Sequence, residues 1–122
     1  TLAETARQAE NLDLLLLFGS RARDDSHAHS DWDLGYLARP GFDVDGLLAR
    51  AVLLLGSDRV DLVDLKRASG LLRFRAAAEG KVLYESTPDS FADFWFEAVS
   101  FWCDAEPILK AGYEAILDRL PS

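Results

Sequence analysis

Two aspartates, Asp31 and Asp33, flank Trp32 ten residues after a Gly19-Ser20 pair. On an extended strand, residues two apart point to the same side. Asp31 and Asp33 would then present two carboxylates together, with Trp32 on the opposite face. Like charges that close repel and raise each other's pKa, and a cation resolves the repulsion. Oxygen donors with no His or Cys among them suit Mg²⁺, which takes one or two carboxylates and completes its shell with phosphate oxygens and water.

Gly19 and Ser20 supply a complementary half. Glycine permits a sharp turn and close backbone approach to a ligand. A helix opening at Ser20 would aim free amides at an anion, and the Ser20 hydroxyl adds a donor. A triphosphate could rest its tail there while its metal sits on Asp31 and Asp33. Arg21 and Arg23 are further phosphate candidates. A third carboxylate is expected from Val60-Asp61-Leu62-Val63-Asp64-Leu65. Asp61 and Asp64 are three apart, so on a regular strand only one can join the site. A mid-strand carboxylate between apolar neighbours needs a partner, which favours Asp61 and leaves Asp64 as the alternate. Taken singly, a Gly-Ser is a turn and a D-x-D is solvated surface; the spacing and the third carboxylate together carry the reading.

These groups need a sheet to hold them. The run Leu14–Phe18 is apolar and stops at Gly19-Ser20, as a buried strand ending in a turn does. Trp32, Leu34 and Tyr36 alternate with Asp31, Asp33 and Gly35, giving a second strand over 31–37. A third is expected over 59–65 and a fourth over 81–85. Helices are predicted over 2–11, 20–24, 43–55 and 67–79, with Asp43 as an N-cap and Gly56 as a stop. Thr87-Pro88-Asp89 opens a last long helix, which Pro107 should kink or divide. The pattern is one α/β (α+β) domain over 1–122: a small mixed sheet packed by helices, with a core over 1–86 and a helical segment over 87–122.

Composition narrows the function. The chain has 122 residues, a net charge of −8, 13 Lys and Arg, and one cysteine. Nucleic-acid backbones are bound by basic residues, so a direct nucleic-acid binder is not expected, whereas a basic protein surface or divalent cations suit the balance. A lone Cys103 allows no internal disulfide and no four-thiolate zinc site; in an aromatic helix it reads as core packing. His27 and His29 fall in a polar stretch and read as exposed loop residues. Gly19–Asp24 is not a Walker A loop, because no Gly-Lys-Ser/Thr follows. With no apolar run long enough to span a bilayer and no secretory pattern, the default expectation is a cytoplasmic protein without a membrane role.

Gly19-Ser20-Arg21-Ala22-Arg23, the ten-residue spacer, Asp31-Trp32-Asp33-Leu34, the later Val60–Leu65 segment and Glu79-Gly80-Lys81-Val82-Leu83-Tyr84-Glu85 resemble the minimal nucleotidyltransferases of the DNA polymerase β superfamily. More narrowly, the chain resembles the antitoxins encoded beside HEPN-domain toxins. The resemblance loosens after Glu85. It implies the nucleotidyltransferase fold, two Mg²⁺ on Asp31, Asp33 and Asp61, and transfer of AMP from ATP. In the antitoxin branch it implies a HEPN ribonuclease partner whose tyrosine accepts AMP and which is thereby silenced. Two departures stand out: Asp24 where a glycine commonly follows, and Trp32 where a β-branched residue is common. Two other functions compete. One is an antitoxin that neutralises by contact alone, and the other is an enzyme acting on a small molecule, against which the short chain counts.

The last helix is apolar on most sides. Phe91, Phe94, Trp95, Ala98, Phe101 and Trp102 form one face, suited to the sheet, while Phe96, Val99 and Cys103 fall off it. A helix apolar all round is deeply buried or holds a partner, and a domain this small predicts a protein-binding surface.

Overall fold

The structure, a computed structural model, describes residues 1–23 and 30–118, without the side chains of 105 and 109. Asp24, His27 and His29 lie outside the described residues.

Four strands form one mixed sheet. They are β1 (Leu12–Phe18), β2 (Trp32–Ala38), β3 (Val60–Asp64) and β4 (Lys81–Glu85), in the order β3-β2-β1-β4. β1 is antiparallel to both β2 and β4, while β2 and β3 run parallel. The uninterrupted Leu14-Leu15-Leu16 of β1 is fully buried because both faces of this central strand are covered.

Helices α1 (Leu2–Gln8) and α2 (Val44–Leu55) cover one face. Leu12, Leu15, Leu34 and Tyr36 meet Ala6, Leu47 and Ala51 there. Helices α3 (Gly70–Glu79) and α4 (Ser90–Asp118) cover the other, where Leu14, Leu16 and Phe18 meet Ala76, Ala77, Phe94 and Ala98. Three of the four helix starts have a side-chain cap. Thr1 and Glu4 close a capping box on α1, and the Asp43 and Ser69 side chains accept amides at the starts of α2 and α3.

Several elements differ from the sequence reading. α3 starts at Gly70 rather than Arg67 because the Ser69 side chain takes the Leu72 amide. Residues 20–23 form a turn, with the Ala22 and Arg23 amides both donating to the Gly19 carbonyl at 3.1 Å, in place of a described helix over 20–24. α4 runs through Pro107 undivided. The carbonyl that Pro107 leaves unbonded lies in an exposed stretch where water can serve it. Cys103 is exposed rather than packed, because it sits on the side of α4 away from Phe94 and Ala98. Trp95 and Phe101 of the predicted packing face are exposed as well, while Val99, predicted off it, packs against the core.

Candidate active site

Register decides which side chains meet. Asp33 pairs with Phe18 on one side and with Asp61 on the other. In a parallel pair, partners share a face, so Asp33 and Asp61 project together toward the α3 side. Leu34 and Tyr36 face α1 and α2. Asp64 pairs with Tyr36 and so lies on their face. Its carboxylate accepts the Lys66 amide at 3.0 Å and lies beside the Tyr36 hydroxyl, whose pKa burial and then this charge push up. The strand's two-residue period thus brings Asp61, and not Asp64, to Asp33. Asp31 is exposed, immediately before β2.

Gly19 ends β1 against Asp33. Its φ is +77°, and an added Cβ would overlap the Asp33 carboxylate. Only glycine takes both the left-handed backbone and the close approach without strain. The turn that follows uses the Ala22 and Arg23 amides, so the earlier amides of Ser20 and Arg21 are not consumed within it.

Sequence reasoning missed a residue that fixes this turn. Glu79, the last residue of α3, accepts the Gly19 amide at 3.2 Å with one oxygen and the Arg23 guanidinium at 2.9 Å with the other. Arg75, one helical turn earlier, stands 3.8 Å from the same carboxylate. Nothing in the spacing marks Glu79; it sits in the Glu79–Glu85 segment, where the resemblance was general rather than tied to a role. Arg21 turns the other way. It donates to the Ser30 carbonyl at 3.0 Å and stacks 4.2 Å over the Trp32 ring, on the opposite face from Asp33. It therefore braces the two ends of the loop between β1 and β2.

Around Asp33 the carboxylates outweigh the nearby guanidinium. Burial pushes the Asp33 carboxyl above its usual range, and Asp61, Asp31 and Glu79 push it further, with Arg75 the opposing cation. The remaining negative charge beside the Gly19 turn is one that a bound cation would offset. The donor set is all oxygen, which fits Mg²⁺. Among the described residues no three His, Cys, Asp or Glu side chains are gathered as a metal-holding group. The Asp33 and Asp61 pair alone would leave coordination positions for phosphate oxygens.

Residues 1–89 match the polymerase beta nucleotidyltransferase family. The chain belongs to that family. It is 35% identical over 96 residues to the protein adenylyltransferase MntA of Aphanizomenon flos-aquae, across 68% of this chain and 63% of that protein. The chain thus spans under two thirds of that relative's length. To the MntA of Shewanella oneidensis it is 37% identical over 110 residues, across 88% of this chain and 75% of that one. Among solved structures, a toxin–antitoxin complex with AMP-PNP contains a chain of TM-score 0.70 and 31% identity, covering 96% of this chain and 90% of that one. A second, the tri-AMPylated Shewanella oneidensis HEPN toxin with its MNT antitoxin, gives TM-score 0.61 and 30% identity over 89% of this chain and 82% of that one. The nucleotidyltransferase fold expected from the motif is therefore the fold observed. Among the described residues no helix is long and apolar enough to cross a membrane.

Proposed function

We propose that this chain is a protein adenylyltransferase that moves AMP from Mg-bound ATP to a tyrosine hydroxyl of a HEPN-domain toxin and so acts as its antitoxin. The observation that carries the reading is the register that sets Asp33 beside Asp61, next to the Gly19-Ser20 turn and just after Asp31. Relatives named protein adenylyltransferase, and a related antitoxin bound to an AMPylated HEPN toxin, support the acceptor class.

In the proposed reaction the acceptor oxygen attacks the α-phosphorus in line. The bond to the β-phosphate oxygen breaks and pyrophosphate leaves. Asp31, Asp33 and Asp61 would hold Mg²⁺, which when bound supplies Lewis-acid stabilisation of the entering and leaving oxygens. Asp61 is exposed at the edge of the site, where its carboxylate can take the acceptor's proton. Ser20 and the early amides of the turn hold the triphosphate tail. Glu79 is a positioning residue that ties the turn and Arg23 to α3.

The test is intact mass spectrometry of a candidate HEPN-domain toxin partner, incubated with the chain and Mg-ATP. Mass steps of one AMP are expected, and none with the Asp31→Ala/Asp33→Ala variant. A toxin bound and silenced with unchanged mass would put neutralisation by contact in place of adenylyl transfer.

A further inference from the structure

α4 is longer than the domain it packs on. Phe94, Ala98, Phe101, Ile108, Gly112 and Ile116 recur at spacings of four, three, seven, four and four residues, which keeps them on one side of a helix. Phe94 and Ala98 at the near end of that stripe are buried in the core. From Cys103 onward every described side chain is exposed, Ile108 at 74% and Ile116 at 58%. The face that builds the core therefore continues past the end of the core for about 24 Å, at 1.5 Å per residue. Isolated helices of this length are marginal in water, and a core-type stripe in solvent is an interface lacking its other half.

The position of the stripe is fixed by α3. Phe101 lies against Gly70, at the start of α3, and Arg73 reaches Glu97 at 3.7 Å, so the two helices run antiparallel. Leu71, next to Gly70, is also exposed. The candidate active site lies at the other end of α3, where Glu79 holds Gly19.

Charge selects the occupant. α4 carries six acidic residues, Asp93, Glu97, Asp104, Glu106, Glu114 and Asp118, against the single base Lys110. Two copies of this helix side by side would set like charges together, and an anionic membrane surface would be repelled. We infer that the distal stripe of α4 is the docking site for a helix of the toxin, one whose apolar face is flanked by Lys and Arg. The inference rests on the toxin partnership proposed above. It also places docking and chemistry at opposite ends of a ten-residue helix, about 15 Å apart along its axis.

The test uses the full chain with Ile108→Asp and Ile116→Asp together, both sites being exposed enough to leave the fold intact, as a thermal melt checks. Calorimetric affinity for the candidate toxin is expected to fall about 100-fold. The KM for toxin should rise in step while kcat and the Mg-ATP-induced rise in Tm hold. Glu106→Lys with Glu114→Lys should weaken binding about 10-fold in low salt and less in high salt. Unchanged affinity in the first variant would overturn the inference, as would a wild-type chain that is dimeric by light scattering and that the same variant splits. The two readings fail separately. A wild-type toxin complex with no AMP step removes the enzyme and leaves the docking site standing. An AMP step that survives with unchanged affinity in the variant does the reverse.

Discussion

β2 presents two faces that differ in kind. Toward α1 and α2, Trp32 carries the stacked Arg21, Leu34 is buried, and Tyr36 packs 5.3 Å from Phe42. Toward α3, Asp33 meets Asp61 and crowds Gly19, and its carboxyl is held above the usual range. Neighbouring residues on one strand thus do opposite jobs. One face is mainly apolar and ties Arg21 to Trp32, although the Arg21 Nε is buried without a partner. The other sets a half-buried carboxylate near further carboxylates, as the proposed cation-dependent site requires.

The sharpest way to break this comparison is to remove carboxylates from each face in turn. Asp33→Asn and Asp61→Asn should each lower AMP transfer roughly a thousand-fold or more, as loss of a group acting directly on transition-state charge does. Asp64→Asn, on the Tyr36 face, should stay within about three-fold of wild type, since surface changes away from a site are near neutral. Single-turnover transfer followed by intact mass reads all three. A severe Asp64 effect with a mild Asp61 effect would reverse the assignment of the third carboxylate.

Gly19→Ala comes next. A methyl group at a φ of +77° would be strained and would push on the Asp33 carboxylate. A fall of about 100-fold in transfer is expected from displacement of a positioned group, together with a lower Tm. Activity within a few-fold of wild type would show that the turn and Asp33 do not act as one unit.

Glu79 should give a smaller and graded effect. Glu79→Gln keeps an acceptor for the Gly19 amide and loses the charge that holds Arg23, whereas Glu79→Ala loses both. About 10-fold is expected for Gln and more for Ala, as for residues that orient a ligand rather than touch the substrate. The loss should fall mainly on the KM for ATP, since the turn holds phosphate. Equal losses in kcat for both variants would argue against positioning through the turn.

Much of this site was legible in the sequence, for identifiable reasons. A strand's period is two, so the three-residue offset of Asp61 and Asp64 announced that they would part, whereas Asp31, expected on the strand beside Asp33, lies just before it. Gly19 was legible because a glycine after an apolar run marks a turn. Glu79 was not, because its role arises from a contact between residues sixty positions apart, and no local period encodes that. Arg21 was read toward phosphate because sequence shows adjacency and not direction; its stacking on Trp32 depends on how the loop's two ends meet. The end of the core along α4 was equally hidden, since an amphipathic stripe does not say where the neighbouring helix stops. Phe101 was misplaced for that reason.

The smallest expected effect is also the most direct probe of the carboxylates around Asp33. Asp33 has a raised pKa in the fold, through burial first and then Asp61 and Asp31. Between its unfolded value, roughly 3.9, and that raised value, the folded state binds more protons than the unfolded state. Stability therefore falls as pH rises through this window, and the penalty is complete above the folded pKa. Asp33→Asn removes it. In EDTA, the Tm of Asp33→Asn should match wild type near pH 3.5 and exceed it by a few degrees at pH 7. Adding Mg²⁺ and a non-hydrolysable ATP analogue should raise the wild-type Tm and close the gap, because binding to the folded state alone stabilises it. A variant less stable than wild type at pH 7 without metal would mean that Asp33 is held by favourable contacts. The contrast between the two faces of β2 would then not rest on repulsion at Asp33.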